Sequence, residues 1–555
     1  MSDTPGNQSA GAAPDPGDAA HPREAHAAAP PSSPIPAADA GAGTLAGNVV
    51  TVALAVFVSN GLLLLSDLAV VRWYGKGFHG SLMWLISVTR LTLLGGSLGL
   101  FGTAGIRHVA RGRARLPHAV SDEISERLTL AFLSLTVCSL AVLLLARPIA
   151  AALGRGGSAP EQAARWLRIA TTWILLLGGL NACRMIAVGY ERMDRLLLMV
   201  SADEGGKLAW VAVAAGLSLS AGWVVLGWTG VHAIALLLTT WLIARMGRGV
   251  GLRVRPKLAP LRRSLRIALD GVAYLAPTLW HAGGMQLVLM LLVGLLRPAG
   301  DVSVVRICLT WSLVSRLLVA PLSTALLPRV AWTDAADDSA PAGEPGTDLS
   351  ATLAQAARML GLVGSLAFAC LWAVGPVLLR LYGPEYREAL SALLVFALAV
   401  GLDNYGQMID RALLGAKGLP IVLWTELLKY AALLGGVWLL VPDRGALGAA
   451  EALSVAMAVN IGAKLAAVAW LAGRAGPRAL TPSRLGAGPF VCSLGVFALI
   501  AAAALAAARL DGAPARIAAP LASWAVGVLA LRVLRPREAL GWARTVLRLA
   551  RRAAD

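Results

Sequence analysis

Residues 128–145 read LTLAFLSLTVCSLAVLLL, and residues 395–414 read VFALAVGLDNYGQMIDRALL. As helices rising about 1.5 Å per residue, both suit a hydrocarbon core of about 30 Å. Stretches like these recur along the chain, split by short basic loops, and leave almost no room for a soluble domain. Helices that are apolar all round need lipid or a large core to hide in. The chain reads as an all-α polytopic membrane protein.

Outward from these two stretches, spans fall near 45–66, 82–105, 128–152, 165–189, 205–221, 224–245, 270–296, 302–327, 356–380, 388–414, 421–441, 447–472, 488–508 and 516–534, about 14 in all. The composition agrees, with 57% hydrophobic residues against 14% charged and a mean hydropathy of +0.69.

The net charge of +18 raises the question of nucleic acid, but its distribution answers it. Arg107, Arg111, Arg113 and Arg115 follow the second span, a basic run from Arg245 to Arg266 follows the sixth, and Arg535 to Arg552 form the tail. If the spans alternate, all three clusters lie on one side. Excess Lys and Arg marks cytoplasmic loops. Both termini are thus expected in the cytoplasm, with the protein in the cytoplasmic (inner) membrane. The charge then reflects topology and attraction to anionic membrane lipids, with no nucleic-acid partner.

Residues 1–43, rich in Ala, Pro, Gly and Ser, read as a disordered cytoplasmic tail without a signal-peptide pattern. An acidic stretch from Thr333 to Ser350 reads as a solvated loop. Neither has room for a catalytic domain. Cys138, Cys183, Cys308, Cys370 and Cys492 show no paired spacing, so neither a disulfide framework nor a metal site is expected.

The chain also repeats. Glu204 with Lys207 has a counterpart in Glu426 with Lys429, and Gly189 one in Gly415. Gly227-Trp-Thr-Gly-Val is matched by Gly445-Ala-Leu-Gly-Ala. The three landmarks recur in order at offsets of roughly 218 to 226 residues, with an even number of spans between copies. Two parallel six-helix repeats plus two C-terminal helices follow, a plan that transporters use with the site between the halves. The expected boundaries are 44–265 for the first lobe, 266–478 for the second, and 479–555 for the added helices and basic tail.

The run Val70-Val71-Arg72-Trp73-Tyr74-Gly75 through Gly80, then Gly99-Leu100 and Arg107-His108-Val109-Ala110, resembles the opening of polysaccharide (O-antigen and exopolysaccharide) flippases. These belong to the multidrug/oligosaccharidyl-lipid/polysaccharide exporter superfamily. Leu381-Tyr-Gly-Pro-Glu-Tyr386, Arg411 to Gly418 and Gly445 to Ala450 resemble that family's second half. The resemblance implies two lobes around a central cavity and transport of undecaprenyl-diphosphate-linked sugars. It also implies a lipid-tail role for 488–534, because the superfamily's lipid II flippase carries two such additional helices. That flippase has a pair of first-helix arginines; here Ser59-Asn60-Gly61 through Ser66-Asp67 has none before Arg72. The departure favours the O-antigen or exopolysaccharide branch.

Ionisable groups inside a span cost about 2.5–3.5 kcal/mol each on insertion scales and should face protein or water. Arg90, Arg306 and Arg316 are candidate substrate ligands, because a guanidinium holds a diphosphate or sugar carboxylate bidentately. Gln407 and His281 join them. Asp403, Gln407 and Asp410 share one face of the tenth span, and Asp270, Tyr274 and His281 one face of the seventh, with Pro277 expected to kink it. Asp403, Asp410 and Asp270 are candidate coupling groups for H+ or Na+. Against these stand plainer roles: Asp270 and Asp410 as helix caps, Arg306 snorkelling, His232 and His281 as helix contacts, and Asp403 hydrogen-bonded or paired with Arg316. Glu204–Lys207 and Glu426–Lys429 read as structural ion pairs. Trp73, Trp84, Trp223 and Trp228 read as interfacial anchors.

No P-loop, GxSxG, HExxH or DxD-like cluster occurs in an aqueous segment, so no enzyme and no cofactor are expected. The leading reading is a flippase for lipid-linked oligosaccharide. The alternatives are a multidrug or cation antiporter of the same superfamily, favoured by a carboxylate-lined cavity, and a membrane enzyme such as an O-antigen ligase or polymerase, which needs a larger outside loop.

Overall fold

The computed structural model describes residues 45–101, 105–106, 109, 117–153, 160–190, 192–281, 284–314, 349–415, 419–475, 487–507 and 513–530. The N-terminal tail, the Thr333 to Ser350 loop except its last two residues, Arg316 and the basic tail from Arg535 lie outside the described residues. Within them the chain is helical: α1 Leu45–Gly96, α2 Pro117–Leu144, α3 Ala146–Leu153, α4 Pro160–Gly189, α5 Met193–Gly216, α6 Ala221–Val250, α7 Leu261–His281, α8 Gly284–Leu296, α9 Ala299–Ser312, α10 Leu349–Tyr382, α11 Leu390–Gly415, α12 Leu419–Ala475, α13 Ala487–Ala507 and α14 Ala513–Ala530.

Two of these helices are each divided into two limbs by a glycine. Gly75 (φ 83°, ψ 166°) bends α1 into limbs at 45–74 and 76–96, and Gly445 (φ 54°, ψ −128°) bends α12 likewise. Both conformations are closed to residues with a Cβ, so a reversal without a loop needs glycine there. α2 with α3, and α7 with α8, each make one interrupted span. α7 continues through Pro277 and ends one turn later at His281. Six stretches are long and apolar enough to cross a membrane by length and composition: Ser121–Leu144, Pro160–Gly189, Ala221–Gly249, Leu360–Tyr382, Pro384–Asp410 and Pro420–Ala467. α5, which carries Asp203, Glu204 and Lys207, is not among them, and the reason is visible in those charges.

α1, α2, α4, α5 and α6 pack together as the first six-span unit, and α8 to α12 as the second, with α1 crossing to meet α9 and α8. α13 and α14 pair and lie on α10. There Phe368, Val496, Phe497, Ile500 and Val528 make a separate apolar cluster, and Trp524 Nε1 donates to Ser365 Oγ at 3.1 Å. Tyr405 ties α13 down, donating to Ala357 O (2.9 Å) and sharing a hydrogen bond with Ser493 Oγ (2.7 Å).

The segment between the two units is held by a ladder. The backbone N–H groups of Arg253, Arg255 and Lys257 donate to Ser121 Oγ, Ser125 Oγ and Thr129 Oγ1 at 2.9–3.1 Å. The acceptors lie at i, i+4 and i+8 on α2, so an extended chain runs along one helical face. Lys257 and Arg263 then pair with Asp122 (2.7 Å) and Glu126 (2.8 Å).

Two readings from sequence are corrected. Gly445 forms the bend of α12, whereas Gly227 lies inside α6, two turns past the equivalent reversal at Leu217–Ser220. That landmark pair is therefore not structurally equivalent; the Glu-x-x-Lys pair is. Trp73 and Trp223 are exposed as interfacial anchors should be, but Trp84 and Trp228 are buried. Trp228 is drawn inward by Trp173, 6.0 Å away, and by the Lys207 ammonium 5.9 Å from its ring.

Candidate functional site

Three polar clusters interrupt the apolar interior. The first belongs to the first unit alone. Arg184 Nη2 on α4 donates to Asp203 Oδ2 on α5 (2.9 Å), and His232 Nδ1 on α6 lies 2.9 Å from Asp203 Oδ1. Lys207 Nζ reaches Asp203 Oδ1 (3.4 Å) and Glu204 Oε1 (3.1 Å). Two carboxylates meet two cations and a histidine, and Asp203, Glu204, Lys207 and His232 are all buried.

The second cluster repeats this arrangement in the other unit. Lys464 Nζ, on the second limb of α12, lies 2.8 Å from Asp410 Oδ1 on α11 and 2.9 Å from Glu426 Oε1 on the first limb. Lys429 pairs with the other oxygen of Glu426, and Asn460 Nδ2 donates to Glu426 Oε1 at 2.9 Å. The expected pairs Glu204–Lys207 and Glu426–Lys429 are thus each part of a larger balanced group. Burial makes such balance necessary, because an uncompensated charge there costs several kcal/mol.

The third cluster crosses from one unit to the other. Asp67 on the first limb of α1 accepts from Arg306 Nε on α9 at 3.1 Å. His79 Nε2 stands 3.5 Å from the other Asp67 oxygen, and His79 Nδ1 lies 2.7 Å from Ser303 Oγ. Ser303 Oγ in turn shares a hydrogen bond with the Tyr386 hydroxyl at 2.6 Å, and Lys76 sits 5.3 Å from the Tyr386 ring. Around this chain the two units touch closely. Arg72 donates to the carbonyls of Leu381 (2.5 Å) and Arg380 (3.3 Å), capping the C-terminus of α10. Gly80 abuts Ala299, where a Cβ would come within 1.6 Å of the Ala299 carbonyl oxygen. All these contacts lie at the end of the bundle that carries the bends at Gly75 and Gly445.

Arg90 occupies the second limb of α1, about three helical turns from His79. It is half-buried, and no hydrogen bond or ion pair engages it among the described residues. Besides burial, the charges of Glu204, Arg306, Asp203 and Arg184 act on its guanidinium.

The remaining sequence candidates are distributed differently. Arg306, expected as a substrate ligand, is taken by Asp67, and snorkelling does not describe it: it is buried and paired across the seam. Asp403 is half-buried and accepts from Gln407 Nε2 at 2.7 Å, so it is not the unpaired carboxylate its neighbours in sequence suggest. Asp410 is buried on Lys464 and caps no helix end. Asp270 is exposed on α7. Arg316 and the side chains of Tyr274 and His281 fall outside the described residues. Sequence reasoning missed Asp67, His79, Ser303, Tyr386, Arg184, Asp203, Asn460 and Lys464. For Arg184 and Lys464, a charge within an apolar span was the available signal; Asp67 and Asp203 stand just outside the spans read from sequence. Among the described residues no group of three or more His, Cys, Asp and Glu side chains is arranged to hold a metal.

The seam makes a direct prediction. Asp67→Ala leaves Arg306 buried and uncompensated and is expected to weaken closure by about 3–5 kcal/mol, whereas Asp67→Leu with Arg306→Met restores most of it. Thiol labelling of a Val302→Cys reporter in a cysteine-free background reads this, since Val302 is 1% exposed. Equal labelling of single and double variants would show that the pair does not hold the seam.

No family model and no curated protein sequence matches the chain. Solved structures do. The lipid II flippase MurJ in an inward closed conformation superposes with a TM-score of 0.65 at 12% identity, over 85% of this chain and 97% of that one. A multidrug resistance MATE family transporter of the MOP superfamily, inward-facing, gives 0.57 at 15% identity, over 73% and 93%. Its outward-facing counterpart gives 0.54 at 16%, over 79% and 98%. At such identities the likeness is one of fold: two parallel six-helix units with, in this chain, two additional C-terminal helices.

Proposed function

We propose that this protein is a transporter that flips a lipid-linked oligosaccharide, an undecaprenyl-diphosphate sugar unit, across the cytoplasmic membrane by alternating access of its two lobes. The observation that carries the reading is Arg90. A guanidinium kept inside a membrane protein without a carboxylate partner is costly unless something anionic visits it, and a diphosphate satisfies it bidentately. The two lobe clusters are charge-balanced internally, which lets each lobe move as a unit. The Asp67–Arg306–His79–Ser303–Tyr386 chain is then the closure that forms and breaks between them. The positive-inside pattern orients this closure toward the extracytoplasmic face, which makes the state described here closed to the outside. The likeness to a lipid II flippase supports the same class of cargo, with the additional α13–α14 pair as the support for the lipid tail.

The antiporter reading is weaker on the same observation, because Arg90 repels a cationic drug and the lobe carboxylates are already matched by Arg184, Lys207, Lys429 and Lys464. An enzyme reading would have to use the Ser303–His79–Asp67 series, but these three side chains are fully buried between helices, where they join the two units.

Proteoliposomes carrying a fluorescent undecaprenyl-diphosphate oligosaccharide in the outer leaflet test this. Purified protein is expected to move the label out of reach of a membrane-impermeant quencher, and a monophosphate or neutral lipid-sugar to compete poorly. Equal handling of the neutral lipid-sugar would refute an anion-reading site.

A further inference from the structure

The second lobe's cluster raises a question that the transport reading leaves open, namely whether an exchangeable cation sits there. Asp410, Glu426, Lys429, Asn460 and Lys464 come from three helical segments, and each is no more than 2% exposed. Buried carboxylates demand oxygen-bound positive charge, and an alkali cation or an ammonium meets that demand in the same way. Here Lys464 Nζ lies 2.8 Å from both Asp410 oxygens and 2.9 Å from Glu426 Oε1. We propose that Lys464 is a tethered counter-cation: its ammonium fills a latent monovalent-cation site made by Asp410 and Glu426, so this lobe takes up no exchangeable Na+ or K+ there.

Comparison of the lobes strengthens the assignment. Arg184 stands five residues before Gly189, and Asp410 five before Gly415, so the same place in the repeat carries opposite charges. The Glu-x-x-Lys pair is common to both. In the first lobe Asp203 balances Arg184, and His232 Nδ1 lies 2.9 Å from Asp203 Oδ1. In the second lobe the inverted charge at Asp410 needs a further cation, and Lys464 on the last limb of α12 supplies it. Each lobe reaches two carboxylates against two cations by a different route. Asn460 Oδ1 is buried without a hydrogen-bond partner among the described residues, while its Nδ2 donates to Glu426 Oε1.

Removal of the ammonium should open the site. Lys464→Ala leaves two carboxylates with Lys429 alone, a net negative hole lined by the Asp410 oxygens and Glu426 Oε1. The test is the melting temperature of the purified full-length protein in detergent, in NaCl, KCl or choline chloride at one ionic strength. This readout is stability, not transport, so it stands or falls apart from the substrate reading. The wild type is expected to melt at the same temperature in all three salts. Lys464→Ala is expected to melt higher in one alkali salt than in choline by about 2 °C or more, with saturation. Lys464→Met with Asp410→Asn, neutral without any added ion, is expected to lose that response. A wild type with a saturable alkali response that Asp410→Asn removes would overturn the proposal. So would a folded Lys464→Ala protein indifferent to the salt. Should that variant fail to fold in every salt, Lys464→Gln takes its place, and a folded Lys464→Gln protein indifferent to the salt overturns the proposal equally.

Discussion

Arg90→Ala is expected to lower flipping of the proposed lipid-diphosphate substrate by about 100-fold or more at unchanged protein level, and Arg90→Lys by about tenfold. The estimate comes from charge-assisted hydrogen bonds worth about 1.5–3 kcal/mol each, two of which a planar fork makes to a diphosphate and a lysine ammonium makes less well. What makes this position decisive is the balance of its neighbours. Asp203 bonds Arg184, Lys207 and His232, Glu204 bonds Lys207, and Asp67 bonds Arg306, so each of these carboxylates already holds a cation and none of them forms an ion pair with Arg90. A structural arginine would show the opposite pattern, paired and indifferent to lysine replacement. Measured flipping in proteoliposomes separates the two roles from a folding defect, provided that melting temperatures are compared in parallel. Wild-type flipping by the alanine variant would remove Arg90 from substrate recognition and with it the main support for an anionic cargo.

The spans were legible because a single physical requirement, enough apolar length to cross lipid, writes itself into local sequence. Glu204–Lys207 and Glu426–Lys429 were legible for a similar reason: at i, i+3 the partners share a helix face. Their wider surroundings were not. Arg306 meets Asp67 across 239 residues, and Lys464 meets Asp410 across 54, distances at which local periodicity says nothing about partners. The helix face shared by Asp403, Gln407 and Asp410 was read correctly as a stripe. Whether a stripe faces a cavity or another helix depends on the neighbour, and for Asp410 the neighbour is Lys464. The hairpin at Gly445 had the opposite fate: its glycine-rich signature was matched to Gly227 by spacing of like residues. Only the backbone shows that one copy turns the chain and the other packs against Trp210.

Gly80→Val is expected to hold the lobes apart at the seam and to abolish transport while leaving both lobes folded. The argument is steric. A Cβ at position 80 would lie 1.6 Å from the carbonyl oxygen of Ala299 and 2.4 Å from its carbonyl carbon. Those are main-chain atoms in the first turn of α9, so no rotamer change clears them, and Ala299→Gly cannot rescue the variant. Closure at this place brings His79 onto Ser303 and Asp67 onto Arg306, so separating the backbones also costs those bonds. The lobe clusters around Asp203 and Glu426 are remote from the contact and should keep each lobe intact, which melting measurements will register as a small shift. Spin labels at Gly77 and Arg387, both exposed at the same end, report the opening by pulsed dipolar spectroscopy. The wild type is expected to show a short, narrow distance distribution and Gly80→Val a longer one, with Gly80→Ala between them. The closure would have to lie elsewhere if the valine variant kept the wild-type distribution, because no packed seam admits two methyl groups where a carbonyl already stands.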